Sequence, residues 1–181
     1  MTCMDVGCTK VLSHVYPGPD KLDSHSQPVA DRSNFAGNLR TVDHAPNDEL
    51  IASAAAVLNP RSVGGRLFGD VGSTLATTAG HRYSGVCIDT GSGTGFCAEH
   101  AAIAAMVTAG EYQIAKIVAV WRDADGALFV LPPCGRCREF IRQIDPANID
   151  TQVVTGRDTA VSLQDLLPLS EWPTPLDRPS A

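Results

Sequence analysis

The chain has 181 residues, 44% of them apolar, six cysteines and a formal net charge of −6. Such a length and apolar content suit one compact domain whose core needs neither metal nor disulfides to fold. The acidic balance argues against nucleic-acid partners, which draw affinity from Lys and Arg on phosphates, and favours a small neutral or cationic ligand.

No stretch approaches the roughly 20 consecutive apolar residues that span a bilayer. The N-terminal "MTCMDVGCTK" also lacks the basic flank and apolar run of an export signal. The expectation is therefore a soluble, cytoplasmic protein that does not act at a membrane, with irregularly spaced cysteines that are thiols rather than a disulfide framework.

Residues 1–46 mix Pro, Ser, Asp, His and Gly without sustained periodicity, which predicts an irregular or partly disordered arm. Its Cys3, Cys8, His14 and His25 are read as belonging to a leader-like segment without a core rather than to a metal site. From Asn47 the pattern changes. Asn47 or Asp48 can cap a helix over "DELIASAAAVL" that Pro60 stops. Short β-type runs in "SVGGRLFG" and "HRYSGVCID" predict a hairpin around the Gly-containing connection "DVGSTLATTAG". "GSGTG", residues 91–95, is a flexible loop that does not complete a dinucleotide-binding fingerprint.

"CAEHAAIAAMVTAG" follows as an Ala-rich helix closed by Gly110, then "AKIVAVW" as a buried strand that "DADG" turns into "ALFVL". "PPCGRCREF" opens a helix that Asp145-Pro146 ends. "TQVVTG" supplies another strand, and "SLQDLLP" a short helix begun by Ser162. The order predicts a three-layer α/β/α domain over residues 47–172 with a five-stranded mixed sheet, followed by a Pro-rich tail, 173–181.

Chemistry concentrates at the cysteines. A lone Cys-x-x-Cys, here Cys134 and Cys137, is either half a zinc site or a redox pair. Three positions apart at a helix start, the two share a face. Cys97 begins the other central helix, and thiolates at helix N-termini are stabilised by free N–H groups. The three sulfurs thus make a candidate metal set. A fourth protein donor is not obvious, because Cys87 lies in a strand and His100 is more easily placed elsewhere. Three ligands and one open position is the catalytic zinc arrangement. Activating water there needs a carboxylate to move protons, and Glu99 is tied to the same helix start as Cys97. Glu99 can also be read as an ordinary first-turn acid favoured by the dipole.

"CAEH" followed by "PPCGRCREF" resembles the zinc-dependent cytidine deaminases, whose pattern is Cys-Ala-Glu and then Pro-Cys-x-x-Cys. "PCGRCR" and the later "LLP" look most like the blasticidin S deaminases within that family. The resemblance covers residues 47–172. It implies Zn²⁺ held by Cys97, Cys134 and Cys137, hydrolysis of a cytosine 4-amino group to a keto group with loss of ammonia, and Glu99 as proton shuttle. It further implies that the Ala98 N–H and the Pro133 carbonyl orient the substrate, and that the chain forms a homo-oligomer, a tetramer or a dimer.

Three thiolates leave such a centre net negative. Arg136 and Arg138 beside Cys137 are candidates to donate to the sulfurs, and His100 stands where many family members carry Arg. Each has a plainer reading, as a solvated helix face for the arginines and as a packed core residue for His100. Where free-nucleoside deaminases hold ribose with Gly-x-Asn-x-Glu-Asn, this chain reads "GVCIDT", with Cys87 for Asn and Asp89 for Glu. A thiol is a poor substitute for an amide, so the reaction type carries over and the substrate does not. Phe96 and Trp172 are candidates to line the substrate site or simply to pack. The alternatives are a deaminase of a non-cytidine aminated heterocycle, a polynucleotide-editing deaminase, a redox protein, and a non-catalytic domain stapled by zinc.

Overall fold

The computed structural model describes residues 46–171. Trp172, the Pro-rich tail and the N-terminal cysteines and histidines lie outside the described residues. In chain order the elements are α1 (Asn47–Ala56), β1 (Arg61–Val63), β2 (Arg66–Phe68), β3 (Val71–Thr77) and β4 (Arg82–Val86). Next come α2 (Ala98–Thr108), β5 (Ile114–Arg122), β6 (Leu128–Leu131) and α3 (Gly135–Ile144). A 3₁₀ turn (Pro146–Asp150), β7 (Gln152–Gly156), β8 (Thr159–Ser162) and α4 (Leu163–Leu166) complete the fold.

The main sheet runs β4-β3-β5-β7-β8. β5 pairs antiparallel with β3 along one edge. On its other edge it pairs antiparallel with β6 over Ala119–Arg122 and parallel with β7 at Lys116 and Ile117. The sheet is therefore mixed and has six strands, one more than the sequence reading gives. β1 and β2 form a separate two-stranded ribbon.

The largest difference is at "DVGSTLATTAG". Gly, Ser and Thr suggested a connection, but Val71–Thr77 is a strand with Ser73, Thr74, Leu75, Ala76 and Thr77 all buried. Small residues are required there because helices press on both faces. A Cβ at Gly72 would run into the Ala54 carbonyl of α1, and one at Gly85 in β4 would meet Ala101 and Ala102 of α2. The buried hydroxyls are satisfied, with Ser73 Oγ donating to the Val118 carbonyl at 2.8 Å and Thr74 Oγ1 bonding Ser84 Oγ at 2.7 Å.

Period-two alternation splits the apolar residues between two cores. Leu75, Ile117 and Val153 face α2, α3 and α4, packing with Ala102, Ile103, Met106, Ile141 and Leu163. Ala76, Val118 and Val154 face the other way onto Leu50, Ile51 and Ala54 of α1. These are the three layers. The cap of α1 differs from expectation: Pro46 occupies it, with no side-chain bond. Asn47 Oδ1 instead accepts from the buried Lys116 Nζ at 3.0 Å, while its Nδ2 donates to the Arg157 carbonyl at 3.1 Å.

Candidate metal centre and active site

α2 and α3 start beside each other on one face of the sheet, and each is capped by a cysteine in extended conformation, Cys97 and Cys134. Cys134 Sγ lies 3.7 Å from Cys97 Sγ and 3.3 Å from Cys137 Sγ. All three sulfurs fall within 4.8 Å of one another, and among the described residues no fourth donor joins them. Tetrahedral zinc with Zn–S near 2.3 Å requires sulfurs about 3.8 Å apart, so the spacing fits such an ion. The triad is graded in access: Cys134 is exposed, Cys97 intermediate and Cys137 buried.

The electrostatics also fit a cation. Burial, followed by the Glu99 charge and the neighbouring sulfurs, drives the Cys137 thiol far above its ordinary range. Burial raises Cys97 as well. At Cys134 burial again acts upward, but the Cys137 N–H and the two neighbouring thiols outweigh it and bring the group below its usual value. A cation supplies the charge that makes several thiolates together favourable. The triad is thus a candidate metal site, consistent with zinc.

Glu99 lies on the first turn of α2 and is only 6% exposed. Burial pushes its carboxyl above the usual carboxylate range, partly offset by its own backbone N–H and by the neighbouring Cys137 side chain. His100, 7% exposed, places Nδ1 3.7 Å from Cys137 Sγ, and its buried Nε2 has no hydrogen-bond partner among the described residues. Its ring lies 4.4 Å from that of Phe140 and 6.4 Å from Phe96.

Both arginines bond backbone carbonyls. Arg136 Nη1 donates to the Gly95 carbonyl at 3.1 Å. Arg138 Nε donates to the Pro133 carbonyl at 2.9 Å and its Nη1 to the Leu166 carbonyl at 3.0 Å. None of these bonds reaches a sulfur, because loop and helix-end carbonyls lacking backbone partners compete for the guanidinium donors.

Of the other candidates, Ala98 is buried at the first position of α2, where its N–H has no intrahelical acceptor. Pro133 is buried immediately before Cys134. Phe96 pairs by backbone with Ile88 in both directions at 3.0 Å, closing the "GSGTG" loop ahead of Cys97. Gly95 is required in that loop, since a Cβ there would strike the Ile88 carbonyl. Asp89 is exposed on the loop. Cys87 is engaged elsewhere: its thiol donates to Asp70 Oδ1 at 2.9 Å and accepts from the Val71 N–H at 3.4 Å. Burial and then Asp70 raise that thiol above its ordinary value. Asp70 went unnoticed in the sequence, because its partner sits 17 residues away on the adjacent strand.

No protein-family model matches the chain. It is 32% identical over 104 residues to a blasticidin-S deaminase of Bacillus cereus, an alignment covering 55% of this chain and 74% of that protein. The chain belongs to the cytidine deaminase-like family. The crystal structure of a cytidine deaminase from Mycobacterium leprae superimposes with a TM-score of 0.55 at 26% identity, over 67% of this chain and 96% of that one. A cytidine deaminase from Burkholderia pseudomallei gives 0.56 at 27% identity, over 68% and 98%. Membership makes this chain a hydrolytic deaminase, and the sulfur triad lies at the helix starts that carry its Cys-Ala-Glu and Pro-Cys-x-x-Cys motifs. Among the described residues no helix is long and apolar enough to cross a membrane.

Proposed function

We propose that this deaminase is a zinc enzyme converting the 4-amino group of a cytosine-type ring, in a free nucleoside or nucleoside-like compound, to a keto group with release of ammonia. The observation that carries this reading is Glu99, a carboxylate 6% exposed on the first turn of a helix capped by one sulfur of the triad. A zinc that merely stapled two helices would give no reason to bury a carboxylate beside three sulfurs.

Held by Cys97, Cys134 and Cys137, zinc would supply Lewis acidity and lower the pKa of a water. Proton movement then falls to Glu99. Its two oxygens let one carboxylate take a proton from the attacking water, pass it to the ring nitrogen next to the amino-bearing carbon, and deliver a second to the departing amine. Burial raises its proton affinity, which suits a group that carries a proton between steps. One water is consumed, one ammonia leaves, and Glu99 returns to its starting state. The Ala98 N–H and Pro133 carbonyl, a donor and an acceptor flanking the two helix starts, would orient the ring.

The sugar end is where this chain parts from free-nucleoside enzymes. Cys87 already spends its donor on Asp70, and Asp89 has a shorter reach than Glu. Both features support a nucleoside-like compound over plain cytidine, in line with the similarity to a blasticidin-S deaminase. The net charge of −6 supports a small substrate over a polynucleotide. We carry the homo-oligomer, dimer or tetramer, and the cytoplasmic location as parts of the same reading.

The test is ammonia release by zinc-loaded protein from cytidine, deoxycytidine, blasticidin S and free cytosine. Glu99→Gln is expected to lower kcat by about 10²–10⁴-fold with zinc content unchanged. Unchanged activity in that variant would remove Glu99 from the reaction.

A further inference from the structure

We propose that Arg138 is a positioning residue for the metal centre, holding the Pro133–Cys134 peptide in place and tying it to the end of α4. The inference rests on the reading of the sulfur triad as a zinc site.

Cys134 is the weakly held member of the triad. It is exposed, whereas Cys137 is 1% exposed and Cys97 caps a helix whose first three residues are buried. The Cys137 N–H holds the Cys134 sulfur at 3.4 Å, and the backbone around it is held by one residue four positions on. The Arg138 backbone N–H donates to the Cys134 carbonyl at 3.0 Å, as the helix requires. Its side chain then turns back, and Nε donates to the preceding carbonyl, that of Pro133, at 2.9 Å. Two consecutive carbonyls around the ligand are thus fixed from a single residue.

The third bond gives the clamp an anchor. Arg138 Nη1 donates at 3.0 Å to the carbonyl of Leu166, the last residue of α4, where helix carbonyls have no internal acceptor role left to fill. Leu166 packs against the core shared by α2 and α3, so the guanidinium is braced on that core. A planar fork with several donors in fixed directions spans two carbonyls, which a single lysine ammonium on a flexible stem does less well. Groups that orient a metal ligand without touching the metal typically contribute about 10–100-fold in affinity.

The experiment measures zinc transfer from the full-length holoprotein to a chromophoric chelator, beside thermal melting of each variant. Arg138→Met is expected to speed transfer about tenfold. Arg138→Lys, which keeps the charge and loses the fork, is expected to fall between Met and wild type. The control is Ile141→Val, a fully buried core change one helical turn away that lowers Tm without touching the clamp. It is expected to leave transfer within about twofold of wild type, separating positioning from general loosening. Wild-type transfer rates in both Arg138→Met and Arg138→Lys would overturn the proposal, as would Ile141→Val releasing zinc as fast as Arg138→Met. If Arg138→Met does not fold, Arg138→Lys and Ile141→Val decide it alone. A wild-type protein that takes up no zinc would instead refute the metal reading, and the role of Arg138 with it.

Discussion

Replacing Gly85 by Ala is expected to damage the site from the far side of α2. A Cβ at Gly85 would stand 2.5 Å from Ala101 Cβ, 2.6 Å from Ala102 N and 2.7 Å from Ala101 C. Two of these atoms are backbone, so no side-chain rotation relieves the clash. Carbon contacts relax only near 3.5 Å, and the helix must therefore retreat by about 1 Å. Overpacking of this kind costs about 1–3 kcal/mol, which for a domain of this size lowers Tm by about 3–10 °C. The catalytic effect should be larger. Cys97, Ala98 and Glu99 ride on α2, whereas Cys134 and Cys137 ride on α3. A displacement of about 1 Å between reacting groups can lower a rate by about 100-fold. Melting curves and kcat/KM for ammonia release measure the two effects. Adding Ala101→Gly removes one of the three contacts, so it should restore only part of either quantity. Wild-type Tm and rate in Gly85→Ala, or full recovery in the double variant, would refute the argument that backbone contact sets the position of α2.

Removing zinc with a chelator is expected to abolish activity while leaving far-UV circular dichroism unchanged, since two apolar cores hold the sheet. Collapse of the dichroism would show that the metal is needed for folding. Cys87→Asn is expected to raise kcat/KM for cytidine about fivefold relative to blasticidin S, the equivalent of one ordinary hydrogen bond, and an unchanged ratio would exclude position 87 from substrate choice. Glu111 accepts from Thr77, Tyr83 and His81, which hold its carboxyl below the ordinary range. A depressed carboxyl contributes stability above its unfolded pKa, about 4.3, and loses it as pH falls through the folded value. Glu111→Gln should therefore lower the urea midpoint at pH 7 and converge with wild type in acid, whereas a pH-independent difference would contradict the linkage.

The parts of the fold set by local pattern were readable, and those set by close approach were not. α2 and α3 follow from Ala-rich and amphipathic runs bounded by Gly110 and Asp145, and β5 from an unbroken β-branched run. β3 was hidden because "VGSTLAT" is rich in Gly, Ser and Thr, and at Gly72 the close approach of α1 leaves no room for a side chain. The sulfur triad was legible because one residue type at two helix starts allows few arrangements. The arginines were not, because their acceptors are backbone carbonyls, and a carbonyl without a partner has no signature in sequence. Leu166, 28 residues from Arg138, is such a case.

Charge then explains why the metal triad and Glu99 belong together. With three sulfurs and the carboxylate all ionised, the pocket holds four negative charges, and a divalent cation balances two. The remainder must be met locally. The N–H groups at the starts of α2 and α3 point into the site, Cys134 Sγ accepts from the Cys137 N–H at 3.4 Å, and His100 Nδ1 faces Cys137 Sγ. The guanidinium bonds of Arg136 and Arg138 go to carbonyls, so neither arginine is a direct donor to sulfur through them. Zinc held by the triad would supply Lewis acidity, and proton transfer would fall to Glu99, whose proton affinity burial raises. In the proposed reaction Glu99 would therefore move the protons, while Arg136 and Arg138 hold carbonyls of the backbone beside the sulfurs.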